Sequence, residues 1–295
     1  MARERDRLTF LKQFPHDEPG VEGARFFAAY LDCLPPEAVC ELVDTGFQRR
    51  AEERRAVLRR LKRNLEVGVT PRHERMLDDV LERLPGLLYR QQEQAYLFLF
   101  ELMDLLPERH RQRTLALALG SSRRGQRERA YGPLLKVWDD RFSAALVHNM
   151  EVHGDFGAAA VAVECWPVEE LFARRALIEP LVQRSKAFNR LYLRLASVNL
   201  DVIESLRMTH PVTYAVLLVR LGRALRPDEA LAMYQANENP DVSYLWLWCF
   251  GRMGLWDVID AVHHLERTEQ RHMALLRAQN GSALGLDTSV EEEGP

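Results

Sequence analysis

Helix starts and stops recur along this chain from one end to the other, with almost no strand-like alternation between them, and this pattern limits the fold more than any other feature. The stretch TPRHERMLDDVLERLPG, residues 70–86, shows how it works. Thr70 is placed to cap a helix. Pro71 takes the first helical position, where its missing N–H costs nothing, and Met76, Val80 and Leu84 recur on one face before Pro85 and Gly86 close the segment. Leu, Ala, Arg and Glu, all good helix formers, fill most of the chain. The pattern predicts helices near 21–33, 36–44, 48–66, 71–84, 88–105 and 108–119, and onward through 127–137, 140–152, 168–182, 201–208 and 256–270. Short connections between them favour antiparallel neighbours, so the expected fold is all-α.

Length and composition set the class. A chain of 295 residues with 47% apolar and 28% charged residues has the make-up of a globular protein, with enough length to bury a core without metal or disulfide staples. The amino terminus, MARERDRLTFLKQF, is charged where a secretory signal needs an apolar core, and no apolar run approaches the roughly 20 residues that span a bilayer. A cytoplasmic location with no membrane contact is therefore expected. Cys33, Cys40, Cys165 and Cys249 lack paired spacing and read as reduced thiols. Arginine so outnumbers lysine (Lys12, Lys62, Lys136 and Lys186 alone) that a GC-rich bacterial genome is the expected origin.

The sequence divides into an N-terminal extension (1–20), an Arg-rich helical region (21–120), a loop (121–126), a helical-repeat region (127–275) and an acidic tail expected to be disordered (276–295). A repeat emerges when the second half is laid over itself. PVTYAVLLVRLGRALRPDEALAMY, from Pro211, and DVSYLWLWCFGRMGLWDVIDAVHH, from Asp241, share Val-Thr/Ser-Tyr, a Gly-Arg pair and a later Asp. LYLRLASVNLDVIESL repeats the ending, which places Asp201, Asp228 and Asp257 at equivalent positions 27 and 29 residues apart, each expected to cap the second helix of a pair. Pairs near 187–208, 211–236 and 241–270 are expected to stack in order.

EALAMYQANENP, Glu229 to Pro240, resembles the second helix and closing proline of a tetratricopeptide repeat, with Ala230 and Tyr234 four apart; Ala236 and Pro240 come early, and the units are shorter than that family's 34 residues. The likeness is to helical-hairpin repeats broadly, tetratricopeptide and HEAT together. It implies an irregular right-handed α-solenoid of antiparallel helix pairs, used as a binding scaffold.

Two surfaces stand out. In RRAEERRAVLRRLKR, Val57, Leu58, Leu61 and Leu65 form a core stripe, while Arg55, Arg59 and Arg63 stack opposite at a like-charge spacing that is mildly unfavourable unless something acidic lies against it. Residues 48–75 carry net charge +6 and residues 108–129 net +5, although the whole chain is at −3. Arg55, Arg59, Arg60, Arg63, Arg123, Arg124 and Arg127 are accordingly the candidate partner-binding residues, facing an acidic protein surface. The second surface is YLWLWCFGRMGLW. Here Tyr244, Trp246, Trp248, Phe250 and Trp256 form either the core of a central repeat, with Trp246 and Phe250 between layers, or a homodimer interface near the carboxyl end. Gly251 and Gly254 are read as permitting close helix approach or ending the helix.

The common phosphate-binding, nucleophile and metal signatures are missing, which points away from an enzyme and from any cofactor. Asp257, Asp260, His263 and His264 supply too few ligands on one face for a metal. In HNMEVHGD, the rings of His148 and His153 are expected to diverge, and Asp155 to cap a helix. Trp138, Asp139 and Asp140 bear some likeness to the Trp and Asp of helical-repeat DNA glycosylases, or else form a hairpin turn. The expected function is a non-enzymatic protein-interaction scaffold. The alternatives are a nucleic-acid-binding repeat protein, such a glycosylase included, or an enzyme with a site between repeats.

Overall fold

The structure is a computed structural model that describes residues 2–14, 21–43, 51–237, 239–262 and 267–283. Helices dominate it, and among the described residues there is no strand. Two compact units divide between Val161 and Ala162, within the helix Phe156–Cys165. The loop expected at 121–126 is not the dividing point. Glu108–Leu119 and Arg124–Lys136 pack on each other across it, so it is a hairpin turn inside the first unit.

In the first unit, Ala2–Lys12 makes the amino-terminal stretch helical and packs on Val21–Asp32, which lies against Ala51–Val67. The segment expected as helix 36–44 is a 3-10 helix, Pro36–Leu42, which puts Val39 and Leu42 one turn apart in the core. Pro71–Arg83 begins as expected. Thr70 Oγ1 accepts the backbone N–H of His73 at 3.4 Å, with Pro71 in the first turn. Tyr89–Glu101 is shorter than expected and passes into a 3-10 turn, Met103–Leu105.

In the second unit, Lys186–Ala196, Pro211–Arg220, Ser243–Met253 and Arg267–Ala283 pack each on the next, and Pro227–Gln235 packs on Trp256–Ala261. The last helix does not complete the third pair, as the 241–270 reading has it; it packs on Ser243–Met253 and carries part of the expected tail. The stretches 168–182 and 201–208 are each broken, at Arg174 and Ser205. Asp201, Asp228 and Asp257 also differ from expectation. They lie in the first turn, after Leu200, Arg226 and Leu255 at the N-cap positions, and make no capping bond. Their charge still complements the positive end of the helix dipole there.

Side-chain bonds between elements span a recurring sequence interval. Asn64 donates to the Pro36 carbonyl, 28 residues back, and Asn149 to that of Leu119, 30 back. Arg194 reaches the carbonyls of Val163 and Trp166, 31 and 28 back, while Arg109 reaches Asp78 across 31. A side chain on one helix thus bonds a carbonyl or carboxylate on an element about thirty residues earlier in the chain. Two glycines let elements approach closely. A Cβ on Gly157 would lie 2.2 Å from the Tyr131 ring, and one on Gly251 would lie 2.9 Å from Met273.

Candidate partner-binding surface

The charged face of Ala51–Val67 follows from its periodicity. Val57, Leu61 and Leu65 are buried, while Arg55, Arg59 and Arg63 are exposed on the other side. Leu58, expected in the core, is only half-buried, because it forms the floor of a groove. Arg63 pairs with Asp32 at 3.0 Å, and Arg59 donates through Nε to the backbone carbonyl of Arg55. Arg25 on Val21–Asp32 and Lys62 line the same groove. Among the described residues no carboxylate pairs with Arg25, Arg55, Arg59 or Lys62. The sequence singled out neither Arg25 nor Lys62 as a site residue, although Lys62 sits one place before Arg63 in the same charged run.

The groove has three connected parts. A cavity of about 280 Å³ lies between the start of Ala51–Val67 and Tyr89–Glu101, with Leu58, Leu97 and Phe98 among its walls. A middle part of about 590 Å³ shares Arg55, Leu58 and Glu101 with it. The far part, about 490 Å³, shares Ala28, Arg59 and Lys62 with the middle and ends at Glu66.

The remaining arginines predicted as partner contacts have other partners. Arg60 turns inward and donates to the Leu34 carbonyl at 3.3 Å. Arg127 is 3% exposed; its Nε and Nη2 donate to Asp155 at 2.6 and 3.1 Å, and Tyr131 Oη donates to the same carboxylate at 2.7 Å. It therefore belongs to the interior and not to a basic face. Arg123 lies over the Tyr89 ring, 4.2 Å from its centroid, and donates to Gln92; Arg124 is exposed and pairs with Glu128. The interval from Arg127 to Asp155 is 28 residues, the same repeat distance seen elsewhere, and that was the signal by which the pair could have been found.

In the aromatic unit, Trp246 and Phe250 are fully buried with ring centroids 5.7 Å apart, which is the core arrangement expected for those two. Tyr244 is exposed against His272, Trp248 is half-buried, and Trp256 lies under the Arg277 guanidinium at 5.0 Å. Gly251 allows a close helix approach and Gly254, at φ 74°, ends its helix. Burial pushes the Cys40 thiol up to about 11 and the Cys249 thiol up to about 12, so neither is a ready thiolate.

Trp138 and the two aspartates form a turn. Trp138 Nε1 donates to Asp140 at 3.1 Å, and Asp139 accepts the Arg141 N–H and pairs with its guanidinium at 2.8 Å. Those bonds from Arg141 hold the Asp139 carboxyl below its ordinary range, the opposite of what a general acid requires. The His148 and His153 rings do not diverge. They meet edge to face at 5.7 Å, since five residues along the last helical turn leave both exposed rings within reach of each other. Asp155 immediately precedes Phe156–Cys165 as expected, but its carboxylate serves Arg127 and Tyr131. Asp260 pairs with Arg277, and His263 and His264 lie outside the described residues. Among the described residues no cluster of His, Cys, Asp and Glu is arranged to hold a metal, and no helix is long and apolar enough to cross a membrane.

Comparison of the chain with protein-family models, with curated proteins and with solved structures returned no match.

Proposed function

We propose that this chain is a non-enzymatic scaffold of stacked helical hairpins, a right-handed α-solenoid of the tetratricopeptide and HEAT kind, that binds an acidic surface of another protein. The observation that carries the reading is the row Arg25, Arg55, Arg59 and Lys62, four cations without carboxylate partners among the described residues along one groove. Cations held close together repel each other, and a carboxylate-bearing partner relieves that repulsion while pairing with the guanidinium forks. The recurring interval of 26 to 31 residues between bonded side chains supports the scaffold part of the reading, because each hairpin then contacts only its neighbours along the chain.

The test is capture from the native host with cross-linking mass spectrometry, comparing wild type with a variant carrying Arg55→Glu, Arg59→Glu and Lys62→Glu. Arg63 is left in place to keep its pair with Asp32. The expected result is cross-links from an acidic protein to 51–67 and at least a tenfold loss of capture in the variant, about 1.4 kcal/mol, at unchanged helix content. Undiminished capture refutes the reading. Tight binding of wild type to duplex DNA or RNA, falling steeply with salt, replaces it with nucleic-acid binding.

A further inference from the structure

The groove along Ala51–Val67 differs in kind from one end to the other. From Ala51 to Glu66 the helix axis advances about 22 Å at 1.5 Å per residue, the span of roughly seven extended residues. One end is the cavity of about 280 Å³ walled by Leu58, Leu97 and Phe98. It is smaller than the ~300–1,000 Å³ typical of sites for drug-sized ligands, and suits one large side chain better than a cofactor. Arg54 and Arg55 stand at the mouth of that cavity, and beyond Leu58 the wall continues in the cations Arg25, Arg59 and Lys62. Glu101 lines both the cavity and the adjoining strip, and Glu52 joins it there.

Those two carboxylates determine what fits. A nucleic-acid backbone carries charge at every step, so laying it through the groove sets phosphates beside Glu52 and Glu101. A peptide distributes its charge unevenly and can present an uncharged or apolar residue at that point. We infer that the groove takes a short extended peptide segment of a partner protein, with one bulky apolar side chain in the Leu58–Leu97–Phe98 cavity and carboxylates along Arg55, Arg59 and Lys62. This rests on the reading of the same face as a partner surface and adds the chemistry of what it recognises. The apolar anchor supplies area removed from water, and the acidic run fixes direction and register.

The experiment uses a phage-displayed library of random twelve-residue peptides selected on the full-length chain. Sequences enriched on wild type are then synthesised and their affinities measured. The expected peptides combine a run of Asp or Glu with one Leu, Phe or Met at a fixed offset. Arg59→Glu with Lys62→Glu, and separately Leu97→Trp, which fills the cavity, each weaken such a peptide at least tenfold. Serine in place of the peptide's apolar residue then costs at least tenfold on wild type and little on the Leu97→Trp protein. If Leu97→Trp disturbs folding, as judged by its melting curve, Leu97→Ala replaces it, and the enlarged cavity shifts the preferred anchor from Leu to Phe.

Acidic peptides with no apolar residue at a fixed offset, weakened by charge reversal but unaffected by either Leu97 variant, overturn the anchored-segment inference and leave the acidic-partner reading standing. Enrichment without acidic bias, or unchanged on the charge-reversed protein, removes both. Mixed-sequence 20-mer duplex DNA that binds more tightly than any selected peptide does the same.

Discussion

Asp155 is 5% exposed and would be pushed toward its neutral form by burial alone. The hydrogen bonds from Arg127 and Tyr131 outweigh that effect and hold its carboxyl below the ordinary range. Tyr131 is driven in the opposite direction, upward, by burial and then by its bond to the carboxylate. Since the folded carboxyl is the stronger acid, its contribution to stability is complete above the unfolded carboxylate value of about 3.9 and is lost as pH falls through the lower folded one. Asp155→Asn leaves the Arg127 charge buried without a counter-ion, and a cost of about 3–5 kcal/mol is expected in urea unfolding at neutral pH, with a flatter acid limb than wild type. Beside this cluster, the backbone at Gly157 passes close against the Tyr131 ring. Gly157→Ala is expected to cost about 1–3 kcal/mol by the same measurement, because the new methyl overlaps Tyr131 and the buried ring has little room to yield. An unchanged midpoint for Gly157→Ala would show that the two helices separate freely there.

The helix Pro71–Arg83 has a pH-dependent start. The Thr70 N–H donates to His73 Nδ1 at 3.1 Å, so that nitrogen must be unprotonated for the cap to close. Burial lowers the His73 pKa, with Glu37 opposing. For a base whose folded value is depressed, the unfolded chain binds more protons, so stability is complete above about 6.5 and declines as pH falls below it. His73→Gln retains a capping-box residue that does not titrate; it is expected to keep stability within about 1 kcal/mol at pH 7.5 and to remove this decline between pH 7 and 5. A decline of equal size in both proteins would assign it to other groups. The helix itself was readable because Thr70, Pro71 and the Met76, Val80 stripe act locally. Readings that depended on distant neighbours went astray. Leu58 shares the inward side of its helix with Val57 and Leu61, yet its exposure depends on how far Val21–Asp32 and Tyr89–Glu101 stand from it. Arg60 and Arg127 resembled the other arginines in charge, and only an acceptor 26 or 28 residues away turns them inward.

At the scale of the molecule, the helical class was legible because it is the sum of many local signals, whereas the division of the chain was not. No composition break marks Val161, since that boundary falls inside a continuous helix of Ala and Val. Within each unit, helices pack extensively on others close to them in sequence. Local contacts of that sort predict fast folding, and single-exponential refolding of either unit on a scale of milliseconds or less is expected in stopped-flow experiments. Refolding over seconds would indicate pairings between distant segments.

The spacing of the side-chain bonds also determines how the chain responds to load. Bonds such as Asn64 to Pro36 and Asn149 to Leu119 bridge 28 and 30 residues, so on the proposed stacking of hairpins tension applied across the chain is expected to load one junction at a time. In an optical trap the chain should lengthen in successive rips of about 10 nm, the contour of roughly thirty residues at 3.3–3.6 Å each, and not in one rupture per unit. The largest resisting step should be the one that pulls Arg127 away from Asp155, where a buried ion pair has to be solvated before the next hairpin is released.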